Sequence, residues 1–179
     1  ISSVAAQLGR EWIVTESCGG AGYDAAFDVF KPLEDYLLAL GVNVMDPHLS
    51  HFSLAGGRKY DWAHTLSDHS PWWKHYRPHA DHVARANLAL DAGREQNRVL
   101  VLHPTTTAWL HYAPAPFRLT SQPDPLEALK ADHANLLLRL YGGQVDFDLG
   151  DEFILAEFGE AEAGALAAGQ RRYELVVVP

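Results

Sequence analysis

Glu16 stands at the end of a short apolar run, residues 11–16 (EWIVTE), directly before a glycine-rich turn, Gly19-Gly20-Ala21-Gly22. Such a run, bounded by turn residues, predicts a buried parallel strand. A carboxylate at the C-terminal end of that strand would face the mouth where barrel enzymes build their active sites. Glycosidic cleavage usually uses two carboxyl groups flanking the bond, one giving a proton and one attacking or activating water. Glu16 is the candidate for one of them. The competing reading is a strand-end glutamate paired with a neighbouring cation. His48 follows the next strand after Asp46-Pro47 and would lie on the same rim. Its imidazole could bond a sugar hydroxyl, orient a carboxylate, or simply be satisfied within the loop.

The long polar and aromatic stretch from 47 to 73 carries the other candidates: Arg58, Lys59, Asp61, His69 and Trp72, with Tyr60, Trp62 and Trp73 interleaved. Loops of this length in a compact domain are usually functional. Flat aromatic faces accept the C–H side of a pyranose, while charged and polar groups bond its hydroxyls. Trp73 is equally a candidate core anchor of the helix that follows.

Seven histidines between 48 and 82 raise the question of zinc. His75 and His79 are four apart, but no H-E-x-x-H pattern occurs, and Pro78 interrupts the helical register. No G-x-S-x-G motif is present, and Cys18 is read as a packing residue. The glycine-rich turn is neither G-x-G-x-x-G nor a Walker loop, so it reads as a tight turn admitting substrate to the backbone. An acidic run, Asp146, Asp148, Asp151 and Glu152, departs from EF-hand spacing and reads first as a solvated turn.

Elements that could position these groups are legible from periodicity. Residues 2–9 read as the end of a helix capped near Gly9. Asp24 is placed to cap a helix to about Leu40 whose apolar positions Phe27, Phe30, Leu33, Leu37 and Leu40 share a face, with a kink or late start expected at Pro32. Residues 42–46 form the next strand, so the segment is a βαβ unit. A second helix, about 73–92, is expected to bury Tyr76, Ala80, Val83, Ala84 and Leu88. A new unit starts near residue 95, with a strand over 98–103, an irregular proline-rich excursion over 113–125, a helix over about 126–141, and strands at 145–148 and 173–178. The expected division is 1–95 and 96–179.

Composition sets outer bounds. The 179 residues are 47% hydrophobic and 21% charged, as in a globular protein, and the net charge of −9 argues against an electrostatic nucleic-acid binder. No apolar run approaches the roughly 20 residues of a membrane helix. The single cysteine excludes an intrachain disulfide. The chain opens without Met inside a helix-like segment and stops on the apolar run Leu175–Pro179. It is therefore expected to be a piece of a longer protein and to be inactive alone.

Four strings carry a resemblance: SVAAQLGREWIVTESCGGAGYD, LGVNVMDPHLSHFSLAGGRKYD, SPWWKHYRPHADHVARANLALDAG and NRVLVLHPTTTAW. In this order they resemble large bacterial α-L-rhamnosidase-type glycoside hydrolases, the group related to glycoside hydrolase family 106. The tail, with VDFDLGDEFIL and RRYELVVVP, is similar to the domain that follows the barrel in such enzymes. The resemblance implies an α/β fold class: the C-terminal part of a (β/α)8 barrel, then part of a flavodoxin-like domain of the class I glutamine amidotransferase type, without that activity. It implies that Glu16 is catalytic, that His48 contacts substrate, and that Arg58, Lys59, Asp61, His69 and Trp72 belong to the substrate-binding loop region. Ser67-Asp68-His69 departs from a more aromatic family pattern. The resemblance also implies inversion, calcium assistance with ligands outside this chain, a carbohydrate as partner, and a periplasmic or secreted location. No other cofactor is evident, and the sequence gives no oligomeric state. The alternatives are a retaining β-galactosidase-like enzyme and a non-catalytic carbohydrate-binding protein built on a degenerate barrel.

Overall fold

The computed structural model describes residues 1–48, 50–60, 62, 66–114 and 124–179. The fold is mixed α/β with small sheets. It comprises two compact units, Glu11–Arg94 and a second assembled from Ser3–Arg10 with Glu95–Pro179. Helix α1 (Ser2–Leu8) thus belongs largely with the C-terminal half. The expectation that residues 1–95 form one piece is corrected there. Its buried Gln7 is the reason: Nε2 donates to the Leu149 carbonyl at 3.1 Å and to Tyr173 Oη at 2.9 Å.

In the Glu11–Arg94 unit, strand β1 (Val14–Ser17) pairs in parallel with β2 (Val44–Pro47), with Glu16 opposite Asp46. Helix α2 (Phe27–Ala39) makes the crossover between them. Two 3₁₀ turns, Gly56–Tyr60 and Trp73–His75, precede helix α3 (Tyr76–Asp91), which packs on α2. Asparagines join the layers. Asn43 accepts from the Ile13 amide and donates to the Glu11 carbonyl, while Asn87 on α3 donates to the Asn43 carbonyl at 2.8 Å.

Several expectations about the helices are corrected. Helix α2 starts at Phe27, with Ala26 and not Asp24 at its N-cap, and runs through Pro32 without a late start. Pro32 removes one internal hydrogen bond, a cost that tertiary packing offsets. The buried stripe is Phe30, Glu34 and Leu38, spaced by four, so a carboxylate occupies its centre. On α3, Leu88 is 73% exposed, and the neighbouring Asn87 faces the sheet through its bond to Asn43. Pro78 lies in the first turn of α3, where a missing N–H is harmless.

The second unit holds a parallel sheet in the order β4-β3-β8: β4 (Phe147–Gly150), β3 (Val99–Leu102) and β8 (Leu175–Val177). Helices α4 (Thr105–His111) and α5 (Pro125–Gly142) lie between β3 and β4. Asp124 caps α5 through the Leu126 amide, with Pro125 at the first helical position. Helix α6 (Glu152–Phe158) leads into an antiparallel meander of β5 (Gly159–Glu162), β6 (Ala165–Ala168) and β7 (Arg171–Tyr173). The tail expected as one strand is therefore two, broken at Glu174. Most of the proline-rich excursion, residues 115–123, lies outside the described residues.

Candidate functional site

Parallel pairing at the C-terminal ends of β1 and β2 brings Glu16 and His48 together. The His48 amide donates to the Ser17 carbonyl at 2.6 Å, extending the ladder one step past the strands. That step places His48 Nδ1 2.6 Å from Glu16 Oε1. The Glu16 side chain is 66% exposed and the His48 side chain 17%, so the imidazole is rooted while the carboxylate reaches solvent. Strand alternation puts Val14, Glu16 and Asp46 on one exposed face and leaves Ser17 buried on the other. A cavity of about 250 Å³ lies on the helix side, lined by Glu34, Leu38, Met45, Tyr76 and Asn87 among others. By strand parity it is behind the sheet and apart from the Glu16 carboxylate.

The turn after β1 shapes the surroundings of this pair. Cys18 takes a left-handed conformation at φ 64°, and the Ala21 amide closes the turn on the Cys18 carbonyl at 3.1 Å. Gly20 is also left-handed, and a side chain there would press on the Trp62 ring at 3.3 Å. Glycine at 20 thus lets Trp62 approach, and the Trp62 ring lies 5.6 Å from that of His48. Burial pushes the Cys18 thiol up, against the lowering effect of a Ser17 hydrogen bond and with the help of Glu34's charge. A thiol held protonated is a poor nucleophile.

Arg58, His69 and Trp72 are the remaining sequence candidates whose side chains lie among the described residues. Arg58 is exposed in the first 3₁₀ turn, the Lys59 side chain and Asp61 lie outside the described residues, and exposed His69 donates its amide to Ser67 Oγ at 3.3 Å. Trp72 packs edge-on against Phe27 and Phe30, at 5.3 Å in each case. It therefore serves the α2–α3 seam. Trp73 stacks on Tyr76 at 5.2 Å.

Sequence reasoning missed a second acid–imidazole pair. Glu34 Oε2 and His79 Nε2 are 2.7 Å apart, and each side chain is only 5% exposed. Burial pushes the Glu34 carboxyl up, with His79 acting in the opposite direction, and it likewise raises the Tyr76 phenol, assisted by Glu34. The available signal was a carboxylate four residues from an apolar neighbour on either side, Phe30 and Leu38. His82 Nε2 and Asp35 Oδ1 form a third pair at 2.6 Å in a more exposed position.

No group of three or more metal-binding side chains occurs among the described residues. The acidic run after α5 has other work, which corrects its reading as a solvated turn. Asp148 is buried, accepting from Tyr173 Oη at 2.7 Å and Asn97 Nδ2 at 2.8 Å. Asp151 caps α6 through the Phe153 and Ile154 amides, and Glu152 accepts from the Thr106 amide and hydroxyl. These residues do not make a calcium site. No helix among the described residues is long and apolar enough to cross a membrane.

No known protein family and no curated protein matches the sequence. Among solved structures, the chain is similar to a rhamnosidase from Novosphingobium sp. PP1Y, with a TM-score of 0.66 and 20% identity. The alignment covers 99% of this chain and 16% of that one, so the chain spans about a sixth of its neighbour's length. At this identity the likeness is one of fold.

Proposed function

We propose that this chain is part of a glycoside hydrolase of the α-L-rhamnosidase-like kind, acting on plant or microbial oligo- or polysaccharide, with Glu16 as one of the catalytic carboxyl pair. The observation that carries the reading is the placement of Glu16: an exposed carboxylate at the C-terminal end of a parallel strand, anchored by one imidazole whose ring lies 5.6 Å from that of the exposed Trp62. Fold likeness to a rhamnosidase supports it. In this reading, Glu11–Arg94 is the closing βα portion of a (β/α)8 barrel. The Glu95–Pro179 segment begins a flavodoxin-like domain of the glutamine amidotransferase type. Arg58, Lys59, Asp61 and His69 form the rim that meets sugar hydroxyls.

Glu16 would serve as proton donor, base or nucleophile according to its distance from a second carboxyl contributed by another part of the protein. A separation of about 5–5.5 Å sets up retention, and about 6.5–9.5 Å leaves room for the water of inversion. No step is assigned to calcium, since the described residues do not form a site for it.

The intact protein should be screened against aryl glycosides, with and without a calcium chelator. Cleavage of the α-L-rhamnoside is expected, and Glu16→Gln should lower kcat by about 10²–10⁴-fold, as for the loss of a positioned acid or base, with the fold unchanged. Preferential cleavage of the β-galactoside, indifferent to chelator, would move the assignment to a retaining β-galactosidase-like enzyme. Sugar binding without any turnover would point to a carbohydrate-binding protein. Full turnover by Glu16→Gln would remove Glu16 from the mechanism.

A further inference from the structure

We infer that His48 is a positioning residue: it acts through Glu16 by fixing the carboxylate's orientation, and it is not a substrate contact in its own right. The inference rests on the proposed role of Glu16. A carboxylate oxygen offers lone pairs and no proton, so the proton in the 2.6 Å bond belongs to the imidazole, and Nδ1 is its donor. Nδ1 therefore carries a proton, and the bond is the same whether or not Nε2 carries one as well.

Three features hold the ring in place. Its backbone is tied to the Ser17 carbonyl, its side chain is largely buried, and its ring lies 5.6 Å from the tilted ring of Trp62. Glu16, by contrast, is exposed at a strand end, and among the described residues no lysine or arginine is paired with it. Asp46, opposite it on the neighbouring strand, and Cys18, two residues further on, provide no cation. Among the described residues, the group that holds Glu16 is thus the His48 imidazole. Without that donor the side chain would be free to sample several rotamers. Catalysis requires placement within about 0.5 Å, and a misplacement of about 1 Å costs on the order of 10²-fold.

The test is steady-state kinetics of the intact protein on 4-nitrophenyl α-L-rhamnopyranoside. His48→Ala should lower kcat by about 10–100-fold with KM within about twofold. His48→Asn, whose amide N–H can reach the position of Nδ1, should recover most of that loss. A raised KM with kcat preserved would make His48 a substrate contact and overturn the inference, as would an asparagine variant no better than alanine. Glu16→Gln run alongside separates the two levels. If it stays active, the reading of Glu16 fails and takes the inference with it. If it is inactive while His48→Ala keeps its kcat, only the inference fails. Should His48→Ala not fold, ¹⁵N NMR of the histidine rings in the wild type reads the tautomer directly, with His48→Asn identifying the signal. Protonated Nδ1 is expected, and a bare Nδ1 with protonated Nε2 would overturn the assignment.

Discussion

Two glutamate–histidine pairs lie within the Glu11–Arg94 unit, at nearly the same separation, and they do opposite things. In Glu16–His48, at 2.6 Å, the acid is the exposed partner. In Glu34–His79, at 2.7 Å, both partners are buried and enclosed by Phe27, Phe30 and Tyr76. The first leaves a carboxylate facing solvent. The second is a strut between α2 and α3, and desolvation dominates its energetics. Bond length alone therefore does not identify a reactive carboxylate. Burial of the acid separates the two cases: the Glu16 carboxylate is open to solvent, whereas the Glu34 carboxylate is tied to His79 across the α2–α3 seam.

That contrast breaks most sharply if one partner of the buried pair is removed. Glu34→Ala should destabilise the protein by about 3–5 kcal/mol in denaturant unfolding, because it strands a buried imidazole. Glu16→Gln should leave the unfolding midpoint unchanged. Equal losses of stability for both would erase the distinction.

A smaller effect concerns pH. Because burial raises the Glu34 carboxyl above its ordinary value of 4.5, the folded state holds this proton more tightly than the unfolded chain does. The corresponding stability is fully present below about pH 4.5 and is lost as pH rises through the raised folded value. Glu34→Gln should flatten this decline in melting temperature. An unchanged pH profile in the variant would show that His79 holds Glu34 ionised despite its burial.

The smallest effect is expected at the third pair. Asp35, whose carboxyl is lowered first by the Lys31 contact and then by His82, is bonded in an exposed setting. Surface ion pairs of this kind contribute little. Asp35→Asn should leave the melting temperature within experimental error, and a clear drop would show that burial is not what grades these pairs.

The sequence was legible where periodicity and strand-end chemistry agreed. Both strands of the βαβ unit, the two helices beside it and the Glu16–His48 rim follow from apolar spacing and parallel register. Glu34 is not legible because the apolar stripe of α2 is Phe27, Phe30, Leu33, Leu37 and Leu40, whereas the buried line steps by four through a charged residue. A charge pairs with a buried position only through a partner 45 residues away, which no local pattern records. Asp148 was hidden in the same way, since its partners Asn97 and Tyr173 are remote in sequence. The β5–β7 meander was invisible for a different reason. Its β6 strand, Ala165–Ala168, is nearly all alanine and gives no contrast between faces.

The bonds from Gln7 to Leu149 and Tyr173 have a consequence for the order in which the chain can fold. Helix α1 is completed by partners 142 and 166 residues further along the chain, with backbone support from the Gln170 amide donating to the Gln7 carbonyl at 2.8 Å. During synthesis, the whole Glu11–Arg94 unit leaves the ribosome before α1 has its partners. Such long-range closure is slow relative to local contacts. The βαβ segment is therefore synthesised before the helix preceding it can meet Tyr173.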